Sequence, residues 1–176
     1  MLVACSYFDF AVREEQSPTK ILGSLLKQVV RGLDEIPAKI VQAFRDNEKA
    51  IGGRKLGLSE IVEMLQDISS SRPTFIIIDA LDECVAGDRA KLLDSLNQIL
   101  HRSPSTRIFL AGRLHIQDEV EKHLSRRVVT VSVVPTKGDI IRFLLAKLRG
   151  DATPDAMNQS LEEDIMKAIP EMVSEM

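Results

Sequence analysis

Positions 75–84 read Phe75-Ile76-Ile77-Ile78-Asp79-Ala80-Leu81-Asp82-Glu83-Cys84, an apolar run that ends in three carboxylates. Carboxylates this close repel one another unless a cation or a basic group compensates. A hard cation such as Mg²⁺ takes one or two carboxylates and completes its shell with phosphate oxygens and water. The chemistry to expect is Asp79 holding Mg²⁺ through water, with Asp82 or Glu83 orienting an attacking water. The same acids have a plainer use, capping the next helix, whose N-terminus favours negative charge. The small Ala80 and the adjoining Asp-Glu pair favour the metal reading. Further on, Arg113 follows the apolar run Arg107-Ile108-Phe109-Leu110-Ala111. A guanidinium there can meet a terminal phosphate and sense it, and Gly112 before it permits close backbone approach. Taken alone, an arginine after a strand is a solvated surface charge.

These groups need a scaffold that brings strand ends together. Thr74–Asp79 is a short, β-branched run of the kind buried on both faces of a parallel sheet. Leu2–Phe10 reads as a buried strand carrying Val3, Tyr7, Phe8 and Phe10, and Arg107–Ala111 and Val128–Val134 as two more. Helices lie between them. Ser17-Pro18 is a cap followed by a proline at the first helical position, starting an amphipathic helix to about residue 31. Pro37 opens a second helix through Phe44, and Ser59 caps a third carrying Ile61, Val62, Leu65 and Ile68. Others run from about Asp88 past Leu100, from Ile116 to Leu124, from Ile140 to Leu148 behind a Thr136/Asp139 capping box, and from Leu161 to Met176. Ile51-Gly52-Gly53 with Gly57 marks a loop, and Gly150–Pro154 a linker. Strands separated by helices imply parallel pairing through right-handed crossovers, an α/β sheet sandwiched by helices. Ligands of such sheets bind at the carboxyl ends of the strands, where Asp79 and Arg113 fall.

Composition narrows the function. The 176 residues carry 23 basic and 26 acidic side chains, a net charge of −3, and 44% are apolar. That suffices for one domain core. A slightly acidic balance without a basic tract argues against nucleic acid as partner. No apolar stretch approaches the length of a membrane span, and the N-terminus is a poor signal peptide. Two cysteines, Cys5 and Cys84, make no disulfide framework, which fits the cytoplasm.

The stretch from Phe75 to Cys84, followed by a strand ending in Gly112-Arg113, resembles the NACHT family of signal-transducing P-loop NTPases. More narrowly, it is similar to the NACHT modules of fungal NOD-like receptors, related to the nephrocystin-type N-terminal domain. Tyr7-Phe8-Asp9-Phe10, Asp139-Ile140 and Pro154-Asp155-Ala156-Met157 through Val173 match other parts of that family. The resemblance implies a P-loop NTPase-like three-layer fold, with residues 1–149 a partial nucleotide-binding domain and 150–176 the start of a helical region. It implies Asp79 as the Walker B magnesium residue, Asp82 and Glu83 as the catalytic acidic pair, and Arg113 as the sensor arginine contacting nucleotide. Mg²⁺ and ATP are the cofactors of the complete family domain. Around Arg113, Ala111-Gly112 and Leu114 replace the family's small hydroxylated pair and proline.

The larger departure is the phosphate-gripping loop. No G-x-x-x-x-G-K-[ST] occurs, and Gly52-Gly53-Arg54-Lys55 follows no strand and lacks the hydroxyl residue after the lysine. The backbone nest, the lysine and the magnesium-binding hydroxyl are therefore missing, together with the first, central strand of the sheet. An empty place is expected between the third and fourth strands, and both ends of the chain read as cut. The expectation is part of a STAND-type ATPase switch domain, inactive alone, with other protein domains or further copies of itself as partners. The alternative is a noncatalytic protein-interaction α/β domain. A two-metal phosphohydrolase or nuclease using Asp79, Asp82 and Glu83 would need further ligands at other strand ends. His101, His115 and His123 lack ligand spacing and read as surface residues, Cys84 as a small buried side chain, Arg126-Arg127 as solvated.

Overall fold

The computed structural model describes residues 1–49, 56–124, 128–150 and 158–174. They divide into two compact units, Met1–Val128 and Val129–Met176. In the first, β1 (Leu2–Tyr7), β2 (Thr74–Asp79) and β3 (Arg107–Leu110) form a parallel sheet in the order β1-β2-β3. The register pairs Leu2 with Thr74 through Tyr7 with Asp79, and Phe75 with Arg107 through Ile78 with Leu110. Among the described residues, the α-helices between β1 and β2 are α1 (Pro18–Arg31), α2 (Ala38–Lys49) and α3 (Leu58–Ser71). A fourth, α4 (Ala86–Arg102), connects β2 to β3, and α5 (Gln117–Leu124) follows β3. This is the α/β architecture expected, a parallel sheet flanked by helices.

Local chemistry explains several helix limits. The Ser17 hydroxyl accepts from the Lys20 N–H at 3.4 Å, and Pro18 opens α1, as its missing donor permits. At α3 the expectation differs in detail. Ser59 lies inside the first turn, and Gly57 caps instead, its N–H donating to the Glu60 carboxylate at 2.8 Å. A glutamate at the third helical position reaches back to the cap, whereas a serine two residues past the cap cannot take that role. The second helix runs beyond Phe44 to Lys49.

Alternation along the strands sends one set of side chains into the core. Leu2, Ala4, Thr74, Ile76 and Ile78 are buried with Leu22, Leu25 and Val29 of α1, Leu65 of α3, and Leu92, Leu93 and Leu96 of α4. Each large aliphatic contributes about 1.5–3 kcal/mol by leaving water. The other face is open, correcting the expectation that β2 is covered on both sides. Val3, Ile77 and Phe109 are 50%, 40% and 57% exposed, and Phe75 stacks on Phe109 with ring centroids 6.4 Å apart. Helices α1, α3 and α4 pack their apolar stripes into the core on the opposite face. The first strand also stops early. Asp9 accepts from the Ala11 N–H at 2.9 Å and caps a 3₁₀ turn over Phe10–Glu15, leaving Tyr7 and Phe10 exposed.

The expected strand Val128–Val134 does not form, and Val129, Val131, Val133 and Val134 are exposed. Its β-branched residues suit a strand, but a strand is stable only against a neighbour. The order β1-β2-β3 ends at β3, and among the described residues no strand pairs with its outer edge.

In the second unit α6 (Lys137–Arg149) packs against α7 (Gln159–Ser174). The capping box is present. The Thr136 hydroxyl accepts from the Asp139 N–H at 3.2 Å, and the Asp139 carboxylate accepts from the Thr136 N–H at 3.0 Å. Hydrogen bonds from Thr136 hold the Asp139 carboxyl below its ordinary value. Among the described residues no helix is long and apolar enough to cross a membrane. The Gly52–Lys55 cluster, Arg126-Arg127 and Pro154–Met157 lie outside the described residues.

Candidate functional site

The acidic stretch begins where β2 leaves the sheet. Asp79 is exposed at the carboxyl end of the strand, and its main-chain carbonyl accepts from the Phe8 N–H at 3.1 Å. One Asp79 carboxylate oxygen accepts from the Ala80 N–H at 2.8 Å. That bond accompanies a left-handed backbone at Ala80, φ 52° and ψ 40°, the one positive φ outside glycine among the described residues. The turn is then pinned to the neighbouring strand. Ala111 donates to the Ile78 carbonyl and accepts from the Leu81 N–H, both at 2.9 Å. Leu81 is fully buried and plugs the 3₁₀ turn Leu81–Glu83 into the core.

Asp82 and Arg113 meet. The Arg113 N–H donates to one Asp82 carboxylate oxygen at 3.2 Å, and its Nε lies 3.4 Å from the other. The Asp82 side chain is 7% exposed and that of Arg113 77%, so the acid is sealed while the guanidinium reaches solvent. Gly112 permits this approach: a Cβ there would stand 3.3 Å from the Asp82 carboxylate and 3.4 Å from its backbone nitrogen. The close contact foreseen at Gly112 is thus one between two loops of this chain. Glu83 is half-buried, and its carboxylate takes no partner among the described residues. Of the acidic pair, Asp82 is engaged and Glu83 is available.

Two further residues belong here that sequence reading passed over. Arg89, in the first turn of α4, is 8% exposed. Its Nη1 donates to the carbonyls of Asp82 at 3.3 Å and Cys84 at 3.0 Å, while Nε and Nη2 reach one Glu119 oxygen at 2.8 and 2.7 Å. A cation in a helix's first turn opposes the helix dipole, and that mismatch was the available signal. Burial pushes the Cys84 thiol up to about 11, as expected of an inert, apolar cysteine. His101 and His115 are exposed, and His123 is half-buried with Nδ1 2.6 Å from the exposed Asp94.

Among the described residues no three His, Cys, Asp or Glu side chains converge as a metal-binding group. A cleft of about 830 Å³ lined by Ile36, Lys39, Ile40, Met64 and Arg72 lies toward the opposite, amino end of β2.

Fold and site together define an α/β module whose strand-end loops gather acids and one exposed arginine. The family model described as Nephrocystin 3, N-terminal matches residues 1–113, and the chain belongs to that family. Searches among curated proteins and among solved structures gave no match.

Proposed function

We propose that this chain supplies the magnesium- and phosphate-sensing part of a nucleotide-binding switch of the NACHT type, as in fungal NOD-like receptors. What supports the reading is the juxtaposition at adjacent strand ends of exposed Asp79 with an Arg113 held against Asp82. In this reading Asp79 holds Mg²⁺ through water, and the ion neutralises phosphate charge when bound. Glu83 orients water, and Arg113 meets the terminal phosphate. Asp82 acts through Arg113, fixing where it is presented. The chain contains no G-x-x-x-x-G-K-[ST], so phosphate affinity rests on few groups and no ATP turnover is expected of it alone. The complete switch would act through other protein domains or through self-association.

The test is an amide NMR titration with MgATP. Weak binding, on the order of 1 mM, should shift Asp79, Glu83 and Arg113, and Asp79→Asn should abolish those shifts. Shifts that map elsewhere, or that persist in Asp79→Asn, would refute the reading. A noncatalytic interaction domain is the second reading, favoured by the exposed apolar face of Val3, Ile77 and Phe109. Partner binding that survives Asp79→Asn would support it.

A further inference from the structure

The loops after β2 and β3 are joined at two places by different chemistry. The Asp82 carboxylate takes the backbone and side chain of Arg113. Behind it, Arg89 donates to the carbonyls of Asp82 and Cys84 and pairs with Glu119. Arg113 caps the 3₁₀ turn Leu114–Ile116, which runs directly into α5, the helix that carries Glu119 in its first turn. The contacts therefore close a ring: Asp82 side chain to Arg113, along the chain to Glu119, across to Arg89, and back to the Asp82 carbonyl.

We propose that Arg89 is a positioning residue that couples the acidic turn to α5 and thereby sets where Arg113 is presented. The physical case rests on what else Arg89 could be doing. Packing does not require a guanidinium at this point, and the helix dipole opposes one. Removing a buried cation from water is costly unless its partners are well placed. Here those partners are two carbonyls of the acidic turn and a carboxylate of α5, so the charge is stabilised only while the two elements keep their mutual position. A shift of the turn on ligand binding would move the Asp82 and Cys84 carbonyls and displace Glu119 through the same guanidinium. Arg113, tied to the turn by Asp82 and to α5 through the chain, is held from both sides. The functional meaning of this coupling rests on the nucleotide reading above; the coupling itself does not.

The experiment is therefore done without nucleotide. Backbone amide exchange and the Arg113 Nε–H resonance are recorded for the wild type, Arg89→Met and Glu119→Gln. Because Arg89→Met removes a buried charge and can fail to fold, Glu119→Gln, at a partly exposed and near-isosteric site, is the deciding variant. Protection of the Arg113 amide should fall about tenfold, a coupling of the size common within one hydrogen-bonded network. The Arg113 Nε–H resonance should shift as well, with the amides of α1 and β1 unchanged. A merely structural ion pair would lower the melting temperature and disturb α4 and α5 while both Arg113 signals stayed as in the wild type. That result would overturn the proposal whether or not MgATP binds.

Discussion

Replacing Ala80 by glycine tests whether the acidic turn is held under strain. A residue with a Cβ in the left-handed region costs about 1–2 kcal/mol relative to right-handed backbone. Ala80 sits there with φ 52° and ψ 40°, held by the Asp79 carboxylate on its N–H and by the bonds of Ala111 to Ile78 and Leu81. Glycine removes that penalty but loses more freedom on folding, which costs about 0.4–1 kcal/mol. The difference predicts that Ala80→Gly is more stable by roughly 0.5–1 kcal/mol, a rise in Tm of about 1–4 °C for a chain of this size. Urea unfolding should show a higher midpoint with an unchanged slope. Ala80→Val should move the other way, since a β-branched residue is disfavoured at positive φ. A glycine variant that is less stable with the same slope would refute the argument and mean that the turn relaxes without cost.

Gly112→Ala should destabilise by about 1 kcal/mol, because its Cβ would displace the tip of the buried Ile116 side chain, 2.9 Å away, and press on Asp82 at 3.3 Å; a neutral variant in chemical denaturation would show that the two loops give way freely. Cys84, with its thiol pushed up to about 11 by burial, should resist iodoacetamide at mildly alkaline pH while exposed Cys5 reacts, as peptide mass mapping would read. The Asp139 carboxyl is depressed from 3.8 by hydrogen bonds from Thr136. Its contribution to capping α6 is therefore present above that value and lost as pH falls through the lower folded value. The destabilisation caused by Asp139→Asn should shrink between neutral pH and pH values below 3.8, and an effect independent of pH would contradict the assignment.

What could be read from the sequence was what depends on near neighbours. The cap and proline at Ser17-Pro18, the apolar run Phe75–Ile78 and the Thr136/Asp139 box each specify their element within a few residues, and each formed. Meetings across the chain were less legible. The seven residues Val128–Val134 have strand chemistry, yet whether they pair depends on a neighbour no local pattern reveals. Ile77 reads as core by composition, but its exposure follows from which face the helices occupy. At the site, the places of Asp79 and Arg113 at the carboxyl ends of neighbouring strands were legible from the apolar runs before them. That Asp82 would be engaged by Arg113, leaving Glu83 available, depends on the approach of two loops. Arg89 was missed because a first-turn arginine looks like surface charge unless its helix polarity is considered.

The outer side of β3 has a practical consequence. Its four residues, Arg107–Leu110, carry donors and acceptors with no further strand beside them among the described residues, next to the bare ring of Phe109. The one charge on this segment is the exposed Arg107, whose guanidinium donates to the carbonyls of Pro104 and Thr106. An uncovered rim of this sort is a template for any extended polypeptide. Concentrated preparations should accordingly drift toward oligomers, and a lysine in place of Phe109 should keep them monodisperse.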